Sequence, residues 1–405
     1  MHTTPSPGIR EPEPSYGYTH GEPSGNRVVG GKGNLPGTRP VDVELGGEPV
    51  WVVGVPLGEG TGWVVALTSG RLEAFRIPEE GAGVEPWLVV PDELPPGAPP
   101  LVAAQGEKLR LVSIPGGEPS PLTHPVPAAG RLVGVDEAGN LSVEPGGSLG
   151  VKALPDARVV RSEGGTLAVA SDPTGAYAHG ALGDEQEAGS ITLLEGRAGG
   201  SLEVAGKVLP RFGGVFETLA PVWFEDPSGR ELLAVTESDE EGGSRISAYN
   251  PDGTLALAGP PIGEAMKWRH LLAVGPFGPG GEVELAVART PHVGSVIEFY
   301  RPNPGEGTLE IVATLAGYPT HTLYSRNLDA ARAGDLDGDG AWEVLVPDRF
   351  RTGLAAVRHT PEGVREAWKL PLGSTLATNV ASATNGEGRL SVAAGRTDGV
   401  LRIWP

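Results

Sequence analysis

One short pattern recurs along this chain and constrains its fold more than any other feature. A strand-like run of the form x-Leu-x-Val is followed by a loop, and a glycine or serine then opens a second strand-like run. Copies begin at Gly62, Gly229, Gly281, Gly340 and Gly386, and the last four start roughly 50 residues apart. A unit of three or four strands cannot bury both of its faces alone, so such units must pack against one another. A period of this length predicts a β-propeller.

The sequence lacks the periodicity of amphipathic helices. No window of about 12 residues or more keeps a helical pattern, because 63 glycines and 40 prolines among 405 residues interrupt nearly every candidate. Short runs of alternating apolar and polar residues, bounded by turn residues, occur instead. The fold class is therefore predicted to be all-β.

The strand-like runs can be arranged as eight propeller blades. A spare strand within 39–47 precedes the first blade, while the last segment supplies only three strands, so this strand is expected to complete the last blade and close the ring. The second and third blades are short, which leaves seven blades as an alternative, and two stacked β-sandwiches are the alternative to a propeller. The predicted blades span 47–95, 96–125, 126–155, 156–210, 211–264, 265–322, 323–373 and 374–405.

The domain prediction has two parts. Residues 1–38 are polar and rich in proline and glycine, which is typical of a flexible tether, and residues 39–405 form a single propeller domain. The start of the chain has no signal-peptide pattern, and no run of about 18 apolar residues predicts a membrane span. Cysteine is absent, so disulfides, thiol nucleophiles and cysteine-based zinc sites are excluded. The absence of cysteine would also fit a surface lipoprotein whose single lipid-bearing cysteine lay upstream of this sequence.

The charge of the chain limits its partners. The formal net charge is −20, and arginine greatly outnumbers lysine. Nucleic acid is an unsuitable partner, because binding to phosphates requires an excess of basic side chains. The scarcity of thermolabile residues is compatible with a thermophile and equally with GC-rich coding.

The segment "DLDGDGAWEVLV" carries carboxylates at alternate positions. Asp335, Asp337 and Asp339 could offer side-chain oxygens, Ala341 its carbonyl and Glu343 a further carboxylate. Alternation of this kind bends a loop around a hard cation and points several oxygens inward, as Ca²⁺ requires. The loop is not an EF-hand, because Val346 stands at the twelfth position and a strand-like run follows.

These residues resemble the calcium loop of FG-GAP/VCBS repeats, which occur in integrin-like propellers and many secreted bacterial proteins. The resemblance implies a structural Ca²⁺ held by Asp335, Asp337, Asp339 and Glu343 through side chains and by Ala341 through its carbonyl. It is specific over about a dozen residues, loose over 211–405 and weak over 47–210. An acidic turn without an ion and a catalytic metal are the alternatives.

Sister loops in other repeats depart from this pattern. "GPFGPGGEVEL" keeps Gly275 and Glu284 but has no aspartates, and "WFEDPSGREL" places Glu225, Asp226 and Glu231 in a poorer arrangement. We therefore expect one good calcium site and at most one degenerate site.

Polar and aromatic residues occur in the loops that lead into three of the predicted inner strands. In propellers such loops line a central funnel, where ligands bind. Their side chains would converge on one mouth if the blade assignment holds. The alternative is that Trp268 packs between blades and that Arg326 pairs with Asp329 to satisfy strand ends. The candidates are Lys267, Trp268, Arg269, His270, His321, Tyr324, Arg326, Asn327, Asp329 and Asn379.

Two function classes remain open. The first is a non-enzymatic extracellular, cell-surface or periplasmic scaffold that binds a protein or glycan of the cell envelope, for example as a lipoprotein or an accessory subunit of an envelope assembly. The second is a propeller enzyme, such as a hydrolase, lyase or quinoprotein, with its site in the funnel. No Gly-x-Ser-x-Gly elbow is present. The long loop 172–190 could bind a partner, and the acidic run 237–243 is expected to be a solvated hairpin tip.

Overall fold

The protein is all-β. Within the described ranges the chain forms thirty-three β-strands, one 3-10 turn at Leu35–Gly37 and no α-helix, so the all-β part of the predicted fold class is confirmed. The computed structural model describes residues 14–19, 30–78, 83–114, 119–197 and 200–405.

The strands of the N-terminal half are mostly short and end at glycine-rich turns. In chain order they are β1 (Ser15–Gly17), β2 (Val41–Glu44), β3 (Pro49–Leu57), β4 (Gly60–Leu67), β5 (Leu72–Ile77), β6 (Glu85–Trp87), β7 (Val89–Val90), β8 (Val102–Gln105), β9 (Lys108–Leu111), β10 (Val126–Ala128), β11 (Arg131–Val135), β12 (Asn140–Glu144), β13 (Gly147–Lys152), β14 (Val160–Arg161), β15 (Leu167–Thr174), β16 (Glu187–Gly196) and β17 (Leu202–Val208).

The strands of the C-terminal half are longer and more regular. They are β18 (Val215–Phe216), β19 (Val222–Glu225), β20 (Glu231–Asp239), β21 (Gly243–Tyr249), β22 (Leu255–Ala258), β23 (Arg269–Gly275), β24 (Glu284–Arg289), β25 (Val296–Asn303), β26 (Thr308–Ala316), β27 (Arg332–Gly334), β28 (Glu343–Pro347), β29 (Gly353–Thr360), β30 (Gly363–Pro371), β31 (Leu376–Thr384), β32 (Leu390–Arg396) and β33 (Val400–Trp404).

Hydrogen bonding groups these strands in fours. Five four-stranded sheets have the orders β3-β4-β5-β6, β1-β8-β9-β7, β10-β11-β12-β13, β27-β28-β29-β30 and β2-β33-β32-β31. A sixth sheet of thirteen strands contains three further groups of four, β14–β17, β19–β22 and β23–β26. Strand β18 links the first two of these groups by pairing with β16 and β20, and a single parallel pair, Ala258 with Thr308, links the last two. The described strands thus form eight sets of four.

Two sets are completed by strands from the start of the chain. Strand β2 pairs antiparallel with β33, with Val41 opposite Ile403. Strand β1 pairs antiparallel with β8, with Ser15 opposite Ala104. Residues 14–19 and 30–38, which were predicted to belong to a tether, are therefore attached to the sheets where the structure describes them, and Lys32 also bridges to Arg389. The rest of the predicted tether, residues 1–13 and 20–29, lies outside the described residues.

The core consists of apolar layers between neighbouring sets. Strand β4 is buried along its whole length, whereas β26, the last strand of its set, alternates between partly buried and exposed residues. One buried cluster contains Val287 of β24 and Ile246 of β21, and another contains Phe299 of β25 and Val357 of β29. Burial of such a side chain contributes roughly 1.5–3 kcal/mol, so these layers stabilise the packing of each set on its neighbour.

The antiparallel order gives each set two ends. In the sets from β14 to β30, the loops between first and second strands and between third and fourth strands lie at one end, called here the lower end. The loops between second and third strands, and the connections to the next set, lie at the other, called here the upper end. The aspartate loop between β27 and β28 is at the lower end, and the predicted funnel residues at 267–270 and 321–329 are at the upper end.

Candidate functional site

The three aspartates of the acidic loop converge as predicted. One oxygen of each of Asp335, Asp337 and Asp339 lies within 4.8 Å of the others. The backbone N–H groups of Gly340 and Ala341 donate to Asp335 and Asp339 at 3.2 and 2.9 Å and hold the bend. Gly340 has a φ of +92°, a conformation that a side chain would strain. The cluster fits a hard cation by ligand type and spacing.

Arg358, which the sequence analysis did not identify, reaches into the same cluster. Its guanidinium donates to Asp339 at 2.6 Å and to Asp337 at 2.9 Å, and it also contacts Glu343. The indole N–H of Trp368 donates to Asp337 at 2.9 Å. A protein cation therefore already neutralises part of the charge at the predicted calcium loop, and an ion there would compete with it.

The neighbouring set repeats the arginine without the aspartates. Glu284 is fully buried, and Arg301 donates to it at 2.6 Å, while His359 contacts its other oxygen at 2.9 Å. The strand register is the same in both sets. Tyr300, the residue before Arg301, pairs with Leu285. Val357, the residue before Arg358, pairs with Val344. The pair of buried glutamate and arginine is thus shared by these two neighbouring sets, and the contacts of Arg358 with two aspartates are an addition to it.

The other degenerate loop is closed by its own side chains. Asp226 accepts hydrogen bonds from the backbone of Ser228 and Arg230, and the Arg230 guanidinium donates to it at 2.7 Å. Glu231 lies apart from this turn and accepts from the backbone of Gly164 at 3.3 Å, and Glu225 is exposed. The arrangement satisfies Asp226 through protein groups, without a metal ion.

A segment near the N-terminus packs on the acidic loop. The N–H of Gly33 donates to the carbonyl of Asp335 at 3.1 Å, and the N–H of Leu35 donates to that of Leu336 at 3.1 Å. A Cβ at Gly33 would overlap the carbonyl of Leu336, so glycine is required there for close approach. The loop is therefore braced from outside its own set.

Among the predicted funnel residues, Trp268 is the centre of a buried aromatic cluster. Its ring is 2% exposed and stacks on His270 at 5.4 Å between centroids, and it meets His321 edge-on at 5.3 Å. Its N–H donates to the carbonyl of Glu217 at 3.2 Å. Burial lowers the pKa of His321 to about 4, although its hydrogen bond with Ser325 opposes that effect.

Arg269 and Asn379 have structural contacts as well. Arg269 is 3% exposed and donates to Glu298 at 3.0 Å and to the carbonyl of Ser244 at 2.7 Å. Asn379 donates to the carbonyls of Val52 and Thr19 at 2.8 and 2.9 Å, so its amide joins β3 to the segment that follows β1. Lys267 is partly buried, and its amino nitrogen lies 3.7 Å from a carboxylate oxygen of Glu264.

The predicted pair between Arg326 and Asp329 was wrong. Arg326 donates to Asp156 at 2.9 Å and to Asp184 at 2.7 Å. Asp329 is fully buried and pairs with Arg158 at 2.8 Å. Their partners lie 142 to 171 residues away in sequence, so spacing along the chain could not identify them.

Two other predicted residues differ in exposure. Asn327 accepts a hydrogen bond from the N–H of Asp329 at 3.1 Å and shapes the loop. Tyr324 is 71% exposed, with a φ of +68°, and its N–H donates to the carbonyl of Ala181 at 2.9 Å. Tyr324 is thus the member of this group whose ring faces solvent.

Buried carboxylates that the sequence did not predict lie beside these residues. Glu217 is 3% exposed and accepts from Ser238 at 2.5 Å and from His179. Burial, together with the negative charge of Glu217, raises the pKa of Glu187 well above its ordinary value. The signal available in the sequence was the length of the loop 172–190, which carries His179 and Asp184 into this region.

Comparisons with known proteins identify no family. No protein-family model and no curated protein matches the chain. BamB from Moraxella catarrhalis is a similar solved structure, with 10% identity, a TM-score of 0.46 and coverage of 90% of this chain and 96% of that chain. An identity and a TM-score this low establish neither a family nor a function. The described residues include no helix able to span a membrane.

Proposed function

We propose that the eight sets of strands are the blades of a closed β-propeller. The buried clusters run from each set to the next, and one of them joins the first and last sets through Val52 and Trp63 on one side and Ala393 and Ile403 on the other. The pairing of β2 with β33 gives the last set its fourth strand from the opposite end of the chain. Closure of this kind would leave no set with an unpacked face.

The propeller is proposed to be a non-enzymatic scaffold that binds a protein partner of the cell envelope. The observation that supports this function is the use of the buried polar side chains near the upper end for internal contacts. Arg158 and Asp329, both buried, join segments 171 residues apart, and Trp268 packs against two histidines. An enzyme would need such groups at a cavity that admits substrate.

The experiment is the identification and reconstitution of a partner. Cross-linking in the native envelope, followed by mass spectrometry, should yield one reproducible protein, and the two purified proteins should form a complex of defined stoichiometry in sedimentation. The affinity should be unchanged by His321→Gln, which keeps a polar group at the buried cluster. A complex that is lost with His321→Gln while the melting temperature is unchanged would favour a site at the centre. A purified glycan panel tests the alternative class of partner.

We also propose that the acidic loop binds one structural Ca²⁺. Asp335, Asp337, Asp339 and Glu343 would hold it with the carbonyl of Ala341, and the ion would supply charge neutralisation alone. Because Arg358 occupies part of this cluster, the affinity is expected to be low, in the range of about 10⁻⁴–10⁻³ M that characterises extracellular calcium modules. An affinity in this range would suit a location outside the cytoplasm, at the cell surface or in the periplasm, which we include in the proposal. A lipid anchor remains part of this proposal.

A further inference from the structure

The upper end of the molecule carries a concentration of exposed apolar side chains. Seven of the eleven large hydrophobic residues that are exposed in the described chain lie on its loops. Scattered single apolar residues are normal on a surface, whereas a concentration at one end marks an interaction site. The seven are Leu209, Phe212, Met266, Val293, Leu323, Tyr324 and Phe350.

Contacts between side chains and backbone join three of the loops at this end. The N–H of Met266 donates to the hydroxyl of Tyr177 at 2.7 Å, and Arg326 binds Asp184 across the same loop. Met266 and Tyr324 have φ angles of +55° and +68°, in a region that bulky residues rarely adopt. The loops therefore hold these two side chains outward against a conformational preference, a situation that clusters at functional sites.

A groove of about 730 Å³ opens between two of these loops, 209–214 and 239–242. Its walls include Phe212, which is 40% exposed, and the hairpin tip with Glu240 and Glu241. The guanidinium of Arg245 lies 3.9 Å from the centroid of the Phe212 ring and also pairs with Asp239 at 3.0 Å. The aromatic ring is thus fixed in place by a cation whose charge is already neutralised.

The remaining charge of the groove is negative. No described residue forms an ion pair with Glu240 or Glu241, and both are exposed. An aromatic wall beside two free carboxylates is complementary to a lysine or arginine that adjoins an apolar side chain. The net charge of −20 opposes a second copy of this chain as the occupant, since like charges repel.

We propose that this groove docks a segment of the partner protein in which a basic residue adjoins an aliphatic or aromatic one. The inference rests on the proposed scaffold function and adds the place and the chemistry of recognition. Glu240 and Glu241 attract the basic groups, and Phe212 packs against the apolar side chain. Met266 and Tyr324 extend the contact across the upper end.

The test uses the full chain and two fluorescent peptides, one alternating lysine with phenylalanine and leucine and one with glutamate in place of lysine. We expect the basic peptide to bind, the acidic peptide not to bind, and the affinity to fall with added salt. Glu240→Lys/Glu241→Lys should weaken binding at least tenfold. The matched control is Glu306→Lys/Glu362→Lys, which reverses two exposed charges at the lower end and should leave the affinity unchanged.

Equal binding of both peptides, or equal losses in both double variants, would overturn the inference, because the attraction would then be a property of the whole surface. Phe212→Ala tests the apolar part of the groove. It should lower the affinity for the basic peptide without changing how that affinity depends on salt. A reconstituted partner complex that survives Glu240→Lys/Glu241→Lys would refute the groove alone and leave the scaffold function standing. Failure to find any partner would instead refute the scaffold function.

Discussion

The guanidinium of Arg358 lies 2.9 Å from the carboxylate of Asp337, inside the loop that the sequence predicts to bind calcium. The same arginine also donates to Asp339. Arg301 in the preceding set contacts Glu284 at 2.6 Å and Glu282 at 3.8 Å, and that loop has no aspartates. Both arginines contact a buried glutamate, and Arg358 alone of the two also contacts aspartates.

Removal of Arg358 should therefore raise calcium affinity. Arg358→Gln takes away hydrogen bonds to charged oxygens, each worth about 1.5–3 kcal/mol, so calcium should bind roughly tenfold more tightly. Titration calorimetry of the chelated protein measures this directly. Arg301→Gln is the control and should not change calcium affinity. A weaker calcium affinity in Arg358→Gln would show that the arginine supports the ion rather than competes with it.

Calcium should also stabilise the fold through Asp337. At a calcium concentration a hundredfold above the dissociation constant, binding should add about 2.7 kcal/mol to the free energy of unfolding. Urea unfolding with calcium and with EDTA gives this difference, and Asp337→Ala should abolish it. Asp252→Ala, at an exposed turn between β21 and β22, should keep it. An unchanged midpoint in EDTA for the unaltered protein would contradict the proposal.

The strand β1 should be sensitive to any side chain at Gly17. A Cβ there would lie 2.5 Å from a methyl carbon of Val53 and 2.7 Å from the carbonyl oxygen of Gly54. Overpacking of this kind costs about 1–3 kcal/mol, so Gly17→Ala should lower the melting temperature and increase hydrogen exchange in β8, its partner strand. Ser15→Ala, at an exposed position of the same strand, should do neither. Unchanged exchange in β8 for Gly17→Ala would show that β1 does not protect it.

How far the sequence predicts this structure depends on the range of each interaction. The acidic loop lies between two strands as expected, because its aspartates, glycines and following apolar run are all local signals. Strand β1 was missed, since Ser15–Gly17 is three residues long and pairs with Ala104, far along the chain. Strand length and propensity give no information about such a partner.

The side chains of Arg326 and Asp329 show the same limit. The short spacing of Arg326 and Asp329 predicted a pair, yet each binds a residue that only the tertiary fold brings near. Arg358 was missed for a related reason, because its place beside Asp337 follows from the register of β28 with β29. The predicted residues at 268–270 and 321–329 do lie in one region, and their roles as ligand-binding groups stay a prediction.

The buried pair of Arg158 and Asp329 gives a prediction about stability. Asp329→Ala would leave the buried guanidinium without its carboxylate and should cost about 3–5 kcal/mol. The double variant Arg158→Met/Asp329→Leu removes both charges and should be less destabilised than either single variant. Urea unfolding of the unaltered protein, Arg158→Met, Asp329→Leu and the double variant gives the coupling free energy. Additive losses would show that the two side chains do not depend on each other.

The buried His321 should make the stability of the fold depend on pH. Burial holds the pKa of His321 at about 4, below its ordinary value of 6.5, so between these values the unfolded chain binds more protons than the folded one. The contribution of neutral His321 to the free energy of unfolding is therefore complete above about pH 6.5. It is lost as the pH falls toward 4, by about 3 kcal/mol in total. His321→Gln should therefore show a smaller loss of stability between pH 7 and pH 4.5, measured by urea unfolding. His124, whose pKa burial also lowers to about 4, remains in that variant and should preserve part of the slope. Identical slopes in the two proteins would show that His321 is protonated as readily in the folded chain as in the unfolded one.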